Sequence, residues 1–175
     1  LLVRWFQWSC FCPVFRMHGE RSPWYEREQE YIGDVRQLTS GQPNEVWSFG
    51  DEVYEILRKY LFVRERMRPY IREVMRAAHE HGDPVMRPLF YGFPADKAAW
   101  SVEDAYLFGA DVLVAPVLEA GARVRDVYLP AGADWMDAAT GAEYAGGQTV
   151  RMDAPLETMP VLIRNGSGVR VYSDD

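Results

Sequence analysis

The chain reads as an α/β segment followed by an all-β segment, and two observations predict this. Up to Phe108, short apolar runs bounded by turn residues alternate with stretches whose apolar residues recur every three to four positions. That alternation is the pattern of strands interleaved with helices, and it points to a parallel sheet. Beyond Gly109 the runs become short and closely spaced, punctuated by Thr140-Gly141, Gly146-Gly147 and Asn165-Gly166. Short strands with regular turns predict an antiparallel sheet or sandwich. The expected boundary therefore separates residues 1–109 from residues 110–175.

Leu1 to Phe11 reads as a helix, with Leu2, Trp5, Phe6 and Ser9 on one side and aromatics on almost every face. Pro13 stops it, and Val14 to Met17 reads as a short buried strand. Glu20 to Glu45 is polar and carries Pro23, Gly33, Gly41 and Pro43, so it reads as a long loop of the kind that roofs a site. Asp51 to His81 is the clearest helix: Val53, Ile56, Leu57, Tyr60, Leu61, Met67, Tyr70, Ile71, Val74 and Met75 follow the three-to-four spacing of one face. Ser48 is the expected cap, Pro69 predicts a kink, and Gly82 predicts the end. Residues 84–93 read as a second buried strand, and Ser101 to Phe108 as a short helix capped by Ser101. The strands expected beyond residue 110 are 111–118, 124–129, 135–138, 143–144, 149–153, 160–164 and 169–172.

Composition narrows the function classes. Of 175 residues, 48% are apolar, enough for a sizeable core. Nineteen basic residues against 26 acidic ones give a net charge of -7, which argues against a nucleic-acid partner. Cys10 and Cys12 are too close in sequence for ordinary disulfide geometry and read as free thiols, which favours a reducing, cytoplasmic setting. No further ligands follow them at zinc spacing, and His79 and His81 stand two apart rather than four, so no metal site is expected. No apolar run is long enough to span a membrane, and the N-terminal stretch lacks the small-residue cleavage site of a signal peptide. The chain opens at Leu1 inside a helical pattern, which reads as part of a longer enzyme.

The candidate site is Pro13-Val14-Phe15-Arg16-Met17-His18-Gly19. A buried run that ends in polar residues is how a barrel strand delivers side chains to a site at its C-terminal end. Strand alternation places Arg16 on the side opposite Phe15 and Met17, the same side as His18. On this context alone His18 reads equally as a satisfied core histidine or as a ligand contact.

Several segments, in order, resemble one family. They are Leu2-Val3-Arg4-Trp5-Phe6-Gln7, Phe11 to Gly19, Glu45-Val46-Trp47-Ser48-Phe49-Gly50, Arg68-Pro69-Tyr70-Ile71, Pro84 to Phe90 and Phe108 to Val117. Together they resemble the later part of a glycoside hydrolase family 31 enzyme, an α-glucosidase or α-xylosidase. The resemblance implies the last strands and helices of a (β/α)8 barrel, followed by a β-sandwich-type domain. Residues 1–12 would be the sixth barrel helix, 13–18 the seventh strand and 84–93 the eighth.

It also implies a retaining exo-α-glycosidase that cleaves terminal α-linked sugars with two aspartates about 5 Å apart. The family's motifs for those aspartates precede the segment matching Leu1, so no catalytic residue is assigned within this chain. The family's Arg-x-His-Gly motif falls on Arg16-Met17-His18-Gly19. His18 is therefore the expected contact to sugar hydroxyls, since imidazole both donates and accepts hydrogen bonds. Arg16 is placed with His18 as a substrate-binding residue, expected to shape the site through an ion pair, with direct contact to the sugar as the alternative.

Other residues are weighed against plainer roles. Arg87 could pair with Asp104. Glu26, Glu28 and Glu30 read as a solvated face. Trp24, Tyr25, Tyr31 and Trp47 read equally as sugar platforms or packing plugs. The expected partners are an α-linked glycoside and the remainder of the parent enzyme, with self-association left open and no cofactor needed. The alternative reading is a non-catalytic carbohydrate-binding or structural module.

Overall fold

The computed structural model describes residues 1–17, 31–32, 35–36 and 44–172. The helical part comes first. Helix α1 spans Leu2–Ser9, and after it Tyr31–Ile32 (β1) pairs antiparallel with Val35–Arg36 (β2). A 3₁₀ turn at Val46–Phe49 leads into α2 (Asp51–Arg66) and α3 (Arg68–His81). The long helix expected over 51–81 is thus two helices joined at Met67, whose φ of -73° and ψ of -5° leave the ideal helical path. Pro69 explains the break: it offers no N–H to the preceding turn, and its ring crowds the carbonyl four residues back. Gly82 closes α3 in a left-handed conformation, its N–H donating to Ala78 O at 3.1 Å, as expected.

Ser48 does not cap α2. Gly50 holds that position, and the Ser48 hydroxyl instead donates to Glu45 Oε2 at 3.0 Å within the 3₁₀ turn.

The β part is built on one mixed-length antiparallel sheet. Its strands are β3 (Met86–Pro88), β4 (Tyr106–Phe108), β5 (Val112–Val114), β7 (Trp135–Asp137), β8 (Glu143–Tyr144) and β10 (Val161–Arg164), in the order β3-β4-β5-β10-β7-β8. A separate ribbon pairs β6 (Val124–Leu129) with β9 (Gln148–Asp153) over six residues. A helical turn, α4 (Leu89–Gly92), and a 3₁₀ turn at Ala98–Ser101 lie between β3 and β4.

The six-stranded sheet is the middle of three layers. Along its strands, alternate side chains point to opposite faces. Phe108, Val112, Val114, Val161 and Ile163 pack on the helices through Phe6, Ile56, Leu57, Tyr60 and Val63. Leu107, Leu113 and Leu162 pack the other way, onto Val127, Leu129 and Met152 of the ribbon and onto Trp135. This explains why Val112-Leu113-Val114 and Val161-Leu162-Ile163 are apolar at every position: a strand covered on both faces has no solvent side to leave polar.

Four expected elements are corrected here. Val14–Met17 forms no strand among the described residues; the carbonyls leading into it are occupied by side chains rather than by a neighbouring strand. Among the described residues, 84–93 do not pair in parallel with 13–17. Met86, Arg87 and Pro88 pair antiparallel with Phe108, Leu107 and Tyr106, and Leu89 turns into α4. Residues 101–108 are not a helix. Ser101 ends a 3₁₀ turn, and Tyr106–Phe108 is a strand held between β3 and β5. The sheet accordingly draws in β3 and β4, both upstream of residue 109. Residues 169–172 also form no strand. Within α1, Val3, Phe6 and Gln7 are the buried side chains, while Trp5 is 55% exposed.

Candidate functional site

The site segment begins where α1 ends. Phe11 and Cys12 continue the helix by one tight turn, their amides donating to Trp8 O at 2.9 Å and Ser9 O at 3.1 Å. Beyond them the chain runs out through Pro13 to Met17. Its side chains alternate as expected, although the segment is not a strand. Phe15 and Met17 pack against the helical core, whereas Val14 and Arg16 are exposed. Phe15 makes an edge-to-face contact with Phe6 at 4.8 Å between ring centres. Arg16 is thereby presented outward from an anchored backbone. His18 lies outside the described residues, as do Trp24, Tyr25, Glu26, Glu28 and Glu30.

The sequence reading passes over the two residues that hold this segment. Arg64 on α2 donates from Nη1 to Cys10 O and Cys12 O, both at 2.7 Å, and from Nη2 to Pro13 O at 2.9 Å. Its guanidinium carbon also sits 5.8 Å from the Phe15 ring centre. Tyr106 on β4 donates its hydroxyl to Phe11 O at 2.9 Å. A signal for Arg64 was present. It stands seven residues after Leu57 and four after Tyr60, on the buried stripe of α2, where a charged residue needs partners.

A second anchor joins α1 to the β part. Arg4 donates to Gln7 Oε1 at 2.9 Å, Thr158 O at 2.6 Å and Ala154 O at 2.6 Å, and Gln7 Nε2 donates to Leu156 O at 2.7 Å. The buried Gln7 is satisfied in this way, and the helix is tied to the chain that leads into β10.

Beside α1 lies a cleft of about 600 Å³. Trp5, Trp8, Met86, Tyr106 and Leu118 line it, with Arg4, Arg87, Glu103 and Asp104 also at its wall. Arg16 is not part of it. Arg87 does not pair with Asp104 as expected. It donates from Nε to Pro84 O at 2.6 Å, approaches Asp83 at 4.0 Å and lies over the Tyr91 ring. Asp104 is held by Arg125 at 3.0 Å instead. Trp47 is 67% exposed.

The thiols are structural. Cys10 is fully buried and donates weakly to Tyr60 O at 3.4 Å; Cys12 sits under Trp8 and Tyr106. Burial pushes the Cys10 thiol up to about 12, with the Arg64 charge opposing, and burial raises Cys12 as well. Neither thiol should react with a disulfide reagent at pH 8 until the chain unfolds; fast labelling of the folded chain would contradict this. Because the folded form of Cys10 holds its proton more tightly than the unfolded form, its contribution is intact below about pH 9. It is lost as pH rises from there toward 12, which alkaline denaturation curves can read. No cluster of metal-binding side chains occurs among the described residues.

Comparison with known proteins completes the picture. Residues 1–74 match the glycosyl hydrolases family 31 TIM-barrel domain, and residues 82–169 match the glycosyl hydrolase family 31 C-terminal domain. The second match opens at the glycine that ends α3. A crystal structure of a family 31 α-xylosidase from a soil metagenome, complexed with xylose, is 53% identical. It superposes with a TM-score of 0.89 over 96% of this chain and 25% of that one. Alpha-glucosidase 2 of Bacillus thermoamyloliquefaciens is 37% identical over 97% of this chain and 19% of its own length. The alpha-xylosidase of Saccharolobus solfataricus is 32% identical over 95% and 20%. The chain thus spans about a fifth of the length of these curated relatives. With both domain matches in the order that the helical and β parts follow, the chain belongs to glycosyl hydrolase family 31.

Proposed function

We propose that this chain is the C-terminal portion of a retaining exo-α-glycosidase that cleaves terminal α-xylosides or α-glucosides. In this reading the chain supplies one wall of the sugar pocket and the two catalytic aspartates lie elsewhere in the parent enzyme. The observation that supports it best is the 53% identity to an α-xylosidase crystallised with xylose, which favours an α-xyloside as substrate. Arg16 adds local support, since its backbone is fixed while its side chain faces outward.

The mechanism asks little chemistry of these residues. The sugar ring must be held while its anomeric carbon takes on positive charge, and hydrogen bonds to its hydroxyls that strengthen in that state lower the barrier. His18 is the residue proposed to make them. Arg16 keeps a fixed positive charge near the same wall and shapes it. Trp47, exposed beside the start of α2, offers an aromatic face on which a sugar ring can stack. The remainder of the parent enzyme is the proposed partner. A cytoplasmic location is proposed from the two free thiols.

The test is kinetic. In the full-length polypeptide, His18→Ala should lower kcat/KM for a nitrophenyl α-xyloside by about 100-fold, the size expected for several transition-state hydrogen bonds. Its Tm should stay within a few degrees. A loss under twofold would remove His18 from the pocket.

A further inference from the structure

The chain that follows β10 turns back onto the helices. After Arg164 it makes a tight turn, with Asn165 N donating to Asp134 O at 2.9 Å and Ser167 N donating to Arg164 O at 3.2 Å. Residues 169–172 then reach the helical side of the core, and among the described residues no strand pairs with them. Side chains hold them instead. Val171 is 1% exposed in the core that the helices share with the sheet, and Val169 and Tyr172 pack against it.

Tyr172 makes the most specific of these contacts. Its hydroxyl donates to the Tyr60 hydroxyl on α2 at 3.1 Å, and the two rings meet edge-on at 6.2 Å between centres. The Lys59 ammonium lies 5.0 Å from the Tyr172 ring centre and also donates to Glu157 O at 3.3 Å. On either side of Glu157, α1 takes the neighbouring carbonyls: Gln7 donates to Leu156 O and Arg4 to Thr158 O. The helices therefore hold the chain on both sides of β10, through its backbone carbonyls upstream and through side chains downstream.

That difference separates their stabilities. A segment held by side chains rather than by a strand ladder opens at a lower free-energy cost than the sheet it flanks. It is also hinged. Gly166 and Gly168 have φ of 82° and 72°, and a Cβ at either would meet nothing within 4 Å, so no packed neighbour braces the hinge. We propose that residues 169–172 are a latch: they close the β part onto α2, with the Tyr172–Tyr60 hydroxyl pair as the catch, and they open locally, ahead of global unfolding. Opening uncovers Tyr60, which is fully buried in the closed form.

The experiment is limited trypsin cleavage of the full-length enzyme. Arg170 is exposed, but Val171 across its peptide bond is buried, so cutting after Arg170 requires the segment to lift. Cleavage there, identified by fragment mass, should precede cleavage after Arg58 or Arg66 in α2. Its rate should rise only weakly with urea below the unfolding transition, because local opening exposes little surface. Tyr172→Phe and Tyr60→Phe should each speed it about fivefold, as expected for one buried hydrogen bond. The double variant should be no faster than either alone, since both changes remove the same bond. Val171→Ala should speed it about tenfold or more, because it strips apolar contact from the closed form.

Cutting after Arg170 that appears only together with cutting in α2, at the full urea dependence of unfolding, would make the segment part of the cooperative core and overturn the latch. So would cutting whose rate none of the three single variants changes, because the segment would then be uncaught. A double variant that multiplies the two tyrosine effects would mean that the hydroxyls act apart, and the catch falls. If neither the unaltered enzyme nor Val171→Ala is cut after Arg170 before global unfolding, local opening does not occur. Turnover of nitrophenyl α-xyloside tests the proposed function separately, and the latch stands or falls on the cleavage pattern.

Discussion

Gly109→Ala is expected to destabilise the chain by about 4 kcal/mol or more, while Gly82→Ala, at nearly the same backbone angle, costs only about 1–2 kcal/mol. The two glycines have φ values of 69° and 74°. The left-handed strain on an alanine is therefore shared, and the surroundings decide the difference. A Cβ at Gly82 meets nothing within 4 Å. A Cβ at Gly109 would lie 2.3 Å from the Tyr70 hydroxyl and 2.6 Å from Val74 Cγ2.

That hydroxyl has no freedom to retreat. It donates to Phe108 O at 2.8 Å and accepts from Asp111 N at 3.1 Å, closing the β4–β5 turn from α3. Moving it breaks two hydrogen bonds and the packing of Tyr70 against Phe108, worth about 1 kcal/mol per bond on top of the overpacking. Urea or thermal unfolding of the two variants measures the gap. Equal losses would mean that α3 yields easily and that Tyr70 does not bind the helical part to the sheet.

Much of this architecture is legible in the sequence, and the reasons differ by element. The strand at 124–129 is found at its observed bounds because its alternation is undisturbed and glycine or proline stands near each end. The runs at 112–114 and 161–163 are legible as strands but not as the centre of three layers, since an apolar run does not say what covers each face. The break near Pro69 is legible, and the structure moves it two residues upstream, to Met67.

Ser101 to Phe108 misleads because Ser101, Glu103 and Asp104 imitate a helix start. Pairing with β3 and β5 overrides that local preference. The site shows the same divide. The exposure of Arg16, opposite Phe15 and Met17, is legible from alternation alone. The hold on its approach is not, because Arg64 and Tyr106 reach carbonyls 51 to 95 residues away in sequence.

The chain on its own is expected to hydrolyse neither nitrophenyl α-xyloside nor nitrophenyl α-glucoside. The chemistry requires two carboxyl groups on opposite sides of the scissile bond, one as nucleophile and one as acid and then base. Such a pair needs carboxyl groups free to meet substrate. Among the described residues the buried carboxylate is Asp137, and its oxygens are already committed. They accept from the Ala139 amide at 3.0 Å and from the Thr140 hydroxyl at 2.7 Å, closing the turn after β7.

Asp137→Asn in the full-length enzyme should therefore lower Tm and leave kcat/KM within about threefold, since it weakens a turn and not a reaction. Loss of a member of the catalytic pair would instead remove most of an acceleration of about 10⁶-fold or more. Scanning the aspartates and glutamates of residues 1–175 in that enzyme should give no variant that keeps its Tm and loses turnover on that scale. One such variant, or measurable turnover by the chain alone that a single carboxylate change abolishes, would put the nucleophile or the acid inside these residues. The chain would then be a catalytic unit rather than a wall.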